Sequence, residues 1–150
     1  MLEGNLGLRI SDILRLRLCD VVSDGGRYRL AITEKKTGKQ RVFTVPLVIY
    51  QYMENYCLRN GIGRNDLMFP VSARAVQKML ATVCDYLGYD GINTHSFRKW
   101  YATEIYRNNG YNITLVQRLL QHSSATITQR YIGIEPQRIE KAIEGHAELI

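Results

Sequence analysis

Four short stretches of this chain carry side chains suited to work on a phosphodiester. They are Leu8-Arg9-Ile10-Ser11-Asp12, His95-Ser96-Phe97-Arg98, Leu120-Gln121-His122-Ser123-Ser124 and Thr128-Gln129-Arg130-Tyr131. A phosphodiester is anionic, and attack on it adds charge to its non-bridging oxygens, so fixed cations must be aimed there. Arginine suits the task because its planar fork meets two oxygens at once and stays charged at any working pH. A tyrosine hydroxyl can attack phosphorus, but with an ordinary pKa of about 10 it needs a nearby base or a strong positive field. The arginines and His95 could supply both. The departing oxygen leaves poorly unless protonated, which asks for a cationic acid within reach. His95 and Arg98 stand three positions apart, so on a helix they share one face and could share a phosphate.

Taken singly, each of these residues has a plainer reading. A lone histidine on a helix is more often a hydrogen-bonded structural residue than a catalyst. Most of the ten tyrosines must be packing residues, and Arg9 or a lysine run alone reads as solvated charge. The joint order and spacing reverse those odds, with Tyr131 following His122 across the segment that begins Leu120-Gln121-His122-Ser123-Ser124.

Together the four stretches resemble the catalytic domain of the tyrosine recombinases, the phage-integrase-type site-specific recombinases, over nearly the whole chain. The resemblance implies an α+β domain, mainly helical with a small three-stranded antiparallel sheet, the DNA breaking-rejoining fold. It implies that Tyr131 is the nucleophile, forming a 3′-phosphotyrosyl link and releasing a 5′-hydroxyl without metal, cofactor or ATP. Arg9 and Arg98 then match the two clamp arginines, and His95 accepts the proton or orients the phosphate. His122 matches the histidine that bonds a non-bridging oxygen, and Asp12 stands where an acidic residue supports the arginine and histidine. The family's general acid is a lysine on a β-hairpin turn; Lys36 is the first choice here and Lys39 the runner-up, with Lys35 on the same turn. The implied partners are double-stranded DNA and further protomers of the same recombinase. The implied use is integration or excision of a phage or mobile element. A type IB topoisomerase would use the same chemistry, and a DNA-binding regulatory or architectural module that has lost cleavage is the alternative from another class.

Two departures from the pattern are visible. Gln121 precedes His122 where the family has glycine, so the helix end must turn without the residue that adopts a left-handed backbone most easily. Met1 to Gly7 reads as too short for the helix that leads into the arginine motif, or for the DNA-gripping domain before it. Residues 1–150 are therefore expected to be a catalytic domain in truncated form, with weaker DNA affinity than an intact enzyme.

The elements that must position these residues follow from periodicity. Ile10, Ile13 and Leu14 predict a short helix that ends near Asp20, with Arg9 at its mouth. A short strand near Val21-Val22, the alternation of Tyr28, Leu30 and Ile32, and the branched and aromatic run Arg41 to Val45 predict three antiparallel strands, with the lysine turn between the last two. Beyond Pro46, a helix with Ile49, Tyr52, Met53 and Tyr56 inward stops at Asn60-Gly61. Ser72 caps a helix whose Val76, Met79, Leu80, Val83 and Leu87 lead to Gly88. The helix bearing His95 and Arg98 offers Phe97, Trp100, Tyr101 and Ile105 for packing and ends at Asn108-Asn109-Gly110. Asn112 caps the next, with Leu115, Val116, Leu119 and Leu120 inward; Ser124 opens the one that reaches Tyr131. Ile139, Ala142 and Ile143 mark a last amphipathic helix, too short to stand alone, that docks on its own domain or a neighbouring protomer. His146 is given no role.

Composition sets the frame. With 150 residues, 45% of them hydrophobic, one domain can bury about two-thirds of its unfolded surface. Lys and Arg number 20 against 14 Asp and Glu, a net charge of +6, which favours a polyanionic partner without specifying one. Cys19, Cys57 and Cys84 are odd in number and form no CxxC pair, so neither a disulfide framework nor a zinc site is expected, and buried thiols in a reducing cytosol are. No apolar run approaches the ~20 residues that cross a bilayer. A soluble cytoplasmic protein of a bacterial cell or nucleoid, without membrane contact, is the resulting expectation.

Overall fold

The computed structural model describes residues 1–133 together with 144 and 145. The predicted stripe of Ile139, Ala142 and Ile143 lies outside the described residues, as does His146. The chain divides into two compact units, Met1–Arg98 and Lys99–Ile150, each with its own core.

The first unit is built on three antiparallel strands in the order β1-β2-β3, with β1 at Val21–Asp24, β2 at Arg27–Thr33 and β3 at Gln40–Val45. Period-two alternation decides which side chains go inward. Tyr28, Leu30 and Ile32 of β2 stand opposite Val45, Phe43 and Arg41 of β3. Helix α3 (Leu47–Arg59) lays Ile49, Tyr50, Met53 and Cys57 against this core, and the Tyr50 ring stacks on Tyr28 with centroids 3.8 Å apart. The predicted Tyr52 is exposed instead, because the buried line follows Ile49, Tyr50, Met53 and Cys57 around the helix. Helix α4 (Ala73–Leu87) begins where Ser72 Oγ accepts from the Ala75 N–H and ends on the left-handed Gly88. Along α4, Cys84 is buried and Val76 and Leu80 are half-buried, while Met79, Val83 and Leu87 of the predicted stripe are exposed.

Two local departures occur around Arg9. Met1–Gly7 does hold a helix, the five-residue α1 (Leu2–Leu6), which buries Leu2 and Leu6 and is closed by Gly7 at φ 58°. The helix expected to end near Asp20 is only α2 (Ile10–Ile13), followed by a 3-10 turn at Leu18–Asp20. Long-range pairing stops it: the Leu16 carbonyl accepts from the Met68 N–H at 2.9 Å and Arg17 bridges to Leu67.

Helix α5 (Thr94–Asn108) starts in the first unit and continues into the second. Its buried line is Thr94, Arg98, Ala102 and Tyr106 at four-residue spacing, so Phe97 and Trp100, expected to pack, lie exposed. The second unit adds α6 (Ile113–Leu120) and α7 (Ala125–Ile132), and its core gathers Ala102, Tyr106, Val116, Leu120 and Ile132. Asn112 and Ser124 cap these helices as the sequence predicts, through the Leu115 and Ile127 N–H groups. The three cysteines are free thiols; Cys57 and Cys84 are buried and Cys19 is half-buried, contrary to the expectation that all three are buried.

Candidate active site

The first unit gathers the arginines. Arg9 is the N-cap residue of α2, extended at φ −76° and ψ 149°, and its carbonyl accepts from the Asp12 and Ile13 N–H groups. Its Nη1 donates to Glu34 Oε2 at 2.6 Å, where Arg9 is 16% exposed and the Glu34 side chain fully buried. The same Glu34 oxygen accepts from Thr37 Oγ1 at 2.9 Å. Arg41, inward on β3, brings its Nη1 within 3.8 Å of Glu34 Oε1 and lies over the Phe43 ring. Burial alone raises the Glu34 carboxyl, but the hydrogen bonds from Arg9 and Thr37 and the charges of Arg9 and Arg41 outweigh it and hold the group below the usual carboxylate range.

Arg98 is almost wholly buried and donates through Nη1 to the Gly7 carbonyl. Arg41 donates to the same carbonyl and to that of Leu6, at 3.4 and 3.3 Å. These carbonyls lie at the end of α1, where helix geometry leaves acceptors without internal donors, so the cations are drawn to them. His95, one turn before Arg98, is exposed, with its N–H held by Asn93 Oδ1 at 2.9 Å. The helical pair therefore presents one open side chain and one buried one.

Lys35, Lys36 and Lys39 are all exposed on the turn after β2. Asp12 is buried, and its Oδ1 accepts from the Lys35 N–H at 2.9 Å. Lys36 thus sits between Lys35, tied to Asp12, and Thr37, tied to Glu34.

The second unit holds His122 and Tyr131. Gln121 closes α6 in the left-handed conformation at φ 55°, performing the turn for which glycine was expected. This directs the His122 N–H to the Gln117 carbonyl at 3.0 Å. The His122 Nδ1 lies 3.1 Å from Thr128 Oγ1, and that hydroxyl donates to the Ser124 carbonyl. The Thr128 hydroxyl thus lies between the His122 ring and the Ser124 carbonyl and holds the orientation of the imidazole. Tyr131, in the last turn of α7, meets the His122 ring edge-on with centroids 5.2 Å apart.

Sequence reasoning passed over Glu34, Arg41 and Thr128. The alternation Arg41, Phe43, Val45 was the available signal for Arg41, since a charge on the inward face of a strand demands a buried partner. Among the described residues no group of three His, Cys, Asp or Glu side chains is placed to hold a metal ion.

A model of the phage integrase family matches residues 1–138. The chain belongs to that family. Among similar proteins of the integrase family is the probable integrase/recombinase YoeC of Bacillus subtilis, 33% identical over 138 residues that span 87% of this chain and 73% of that protein. Tyrosine recombinase XerC of Xylella fastidiosa is 29% identical, over 93% of this chain and 48% of its own length. The integrase fold also appears in solved structures: XerH bound to palindromic difH substrate in a post-cleavage complex (TM-score 0.72, 22% identity, 95% of this chain and 43% of that one). The catalytic domain of bacteriophage HP1 integrase matches at TM-score 0.63 and 21% identity, over 97% of this chain and 78% of that domain. This integrase-family chain spans about half the length of its XerC relative.

Proposed function

We propose that this chain is the catalytic domain of a site-specific recombinase that cleaves and rejoins double-stranded DNA through Tyr131. The Tyr131 oxygen bonds to phosphorus, the bond from phosphorus to the 5′-oxygen breaks, and the 3′-phosphate stays on the protein. Attack by a 5′-hydroxyl of another strand reverses the step, so the phosphodiester energy is kept and no ATP is used. Arg9 and Arg98 take the charge that builds on the non-bridging oxygens, His95 receives the tyrosine proton or orients the phosphate, and Lys36 protonates the departing oxygen. His122 bonds a non-bridging oxygen, and Asp12 holds the backbone at Lys35. Further protomers on the same DNA supply the second strand, inside the bacterial cell where the DNA lies.

The single observation that carries the reading is the contact of His122 with Tyr131, with the imidazole held at Thr128, in a chain of the phage integrase family. A tyrosine that merely filled the core would need no histidine so held.

Covalent trapping tests the proposal: a pool of nicked, labelled random duplexes is incubated in EDTA with the native sequence or Tyr131→Phe and run on denaturing gels. The expected result is an adduct from the native sequence that Tyr131→Phe abolishes. DNA binding without an adduct, even when the assay is repeated with a DNA-gripping domain joined ahead of Met1, would replace this reading with the non-catalytic DNA-binding module.

A further inference from the structure

The recombinase reading gives Arg9 and Lys36 separate tasks at one phosphate, yet neither is held by the other. What the two share is Glu34. Its Oε2 accepts from Arg9 Nη1 at 2.6 Å and from Thr37 Oγ1 at 2.9 Å, and Thr37 follows Lys36 in the chain. The backbone of Glu34 closes the same turn, its N–H donating to the Lys39 carbonyl and its carbonyl accepting from Gly38, both at 2.9 Å. A buried carboxylate is costly unless paired, and Glu34 has a second guanidinium, that of Arg41, at 3.8 Å from its other oxygen.

We propose that Glu34 is a positioning residue that holds the Arg9 guanidinium and the Lys36 turn on one carboxylate, with Arg41 behind it as counter-ion. Glu34 acts only through these groups, because a carboxylate facing the phosphate would repel it. Its single bond to Arg9 Nη1 leaves Nε and Nη2 of that fork to meet phosphate oxygens. The carboxylate also makes the arginine and lysine interdependent: when Oε2 moves, the cation that receives charge and the turn that delivers the proton move together. This inference rests on the recombinase reading for its rates, and its geometry is testable without them.

The experiment uses Glu34→Gln and Thr37→Val with two nicked duplexes, one with the native 5′-bridging oxygen and one with sulfur there, since a thiolate departs without an acid. Single-turnover cleavage, DNA affinity and the hindered rotation of the Arg9 guanidinium, read by NMR, are measured for each protein. Thr37→Val should slow the oxygen substrate about tenfold and regain the native rate on sulfur, the mark of a misplaced acid. Glu34→Gln should slow oxygen cleavage about a hundredfold and regain only part on sulfur, since Arg9 is also displaced. DNA affinity should change by less than about threefold in both. Unchanged rates, losses that sulfur does not separate, or losses that merely follow affinity would overturn the proposal. If the native sequence forms no adduct even with a DNA-gripping domain joined ahead of Met1, the recombinase reading fails; free rotation of the Arg9 guanidinium in the native protein would independently overturn the hold by Glu34.

Discussion

Gln121 occupies a backbone conformation that costs an L-residue about 1–2 kcal/mol, and it does so one residue before His122. Comparing two variants that both lack the side chain isolates that cost. Gln121→Gly should be more stable than Gln121→Ala by about 1 kcal/mol, read from denaturant midpoints at unchanged slope. At the neighbouring histidine, Thr128→Val removes the hydroxyl that lies 3.1 Å from Nδ1. Adduct formation should then slow about tenfold, while the Tyr131-dependent adduct still forms, because the ring remains but is no longer held in orientation.

Helix α7 has eight residues and carries Tyr131 in its last turn. A helix of that length is marginal on its own, so its cap matters. Ser124→Ala, which removes the acceptor for the Ile127 N–H, should lower stability by about 1 kcal/mol in urea unfolding. Such caps were legible in the sequence, as were the three strands, because a capping side chain and period-two alternation are local signals. Elements decided by distant partners were not: α2 stops at Ile13 because Leu16 and Arg17 pair with the strand-like Leu67–Met68 segment. The exposed face of α4 shows the same limit, since periodicity marks an apolar stripe without saying what covers it. The motifs indicated which elements bear Arg9, Asp12, Lys36, His95, Arg98, His122 and Tyr131. The tie from Arg9 to Glu34 spans 25 positions and has no periodic signature, so it came only with the fold.

Across the molecule, charge links the first helix to the arginine cluster. Glu3 is buried, and burial pushes its carboxyl up from 4.5 to about 7, against the opposing pull of the N-terminal amine, Arg98 and the Ile10 N–H. The folded chain therefore holds this proton more tightly than the unfolded chain. Its contribution to stability is full below about pH 4.5 and is lost as pH rises through 7. The loss is on the order of 3 kcal/mol, and urea midpoints between pH 5 and pH 8 should show a downward slope that Glu3→Gln levels. The same short helix offers the Leu6 and Gly7 carbonyls on which Arg41 and Arg98 rest. A protease that clipped the chain after Gly7, or a cloning scheme that replaced those residues with a tag, would leave every proposed catalytic side chain in the polypeptide. It would nonetheless pull the bench from under two guanidiniums, making the first seven residues a point of inactivation by trimming alone.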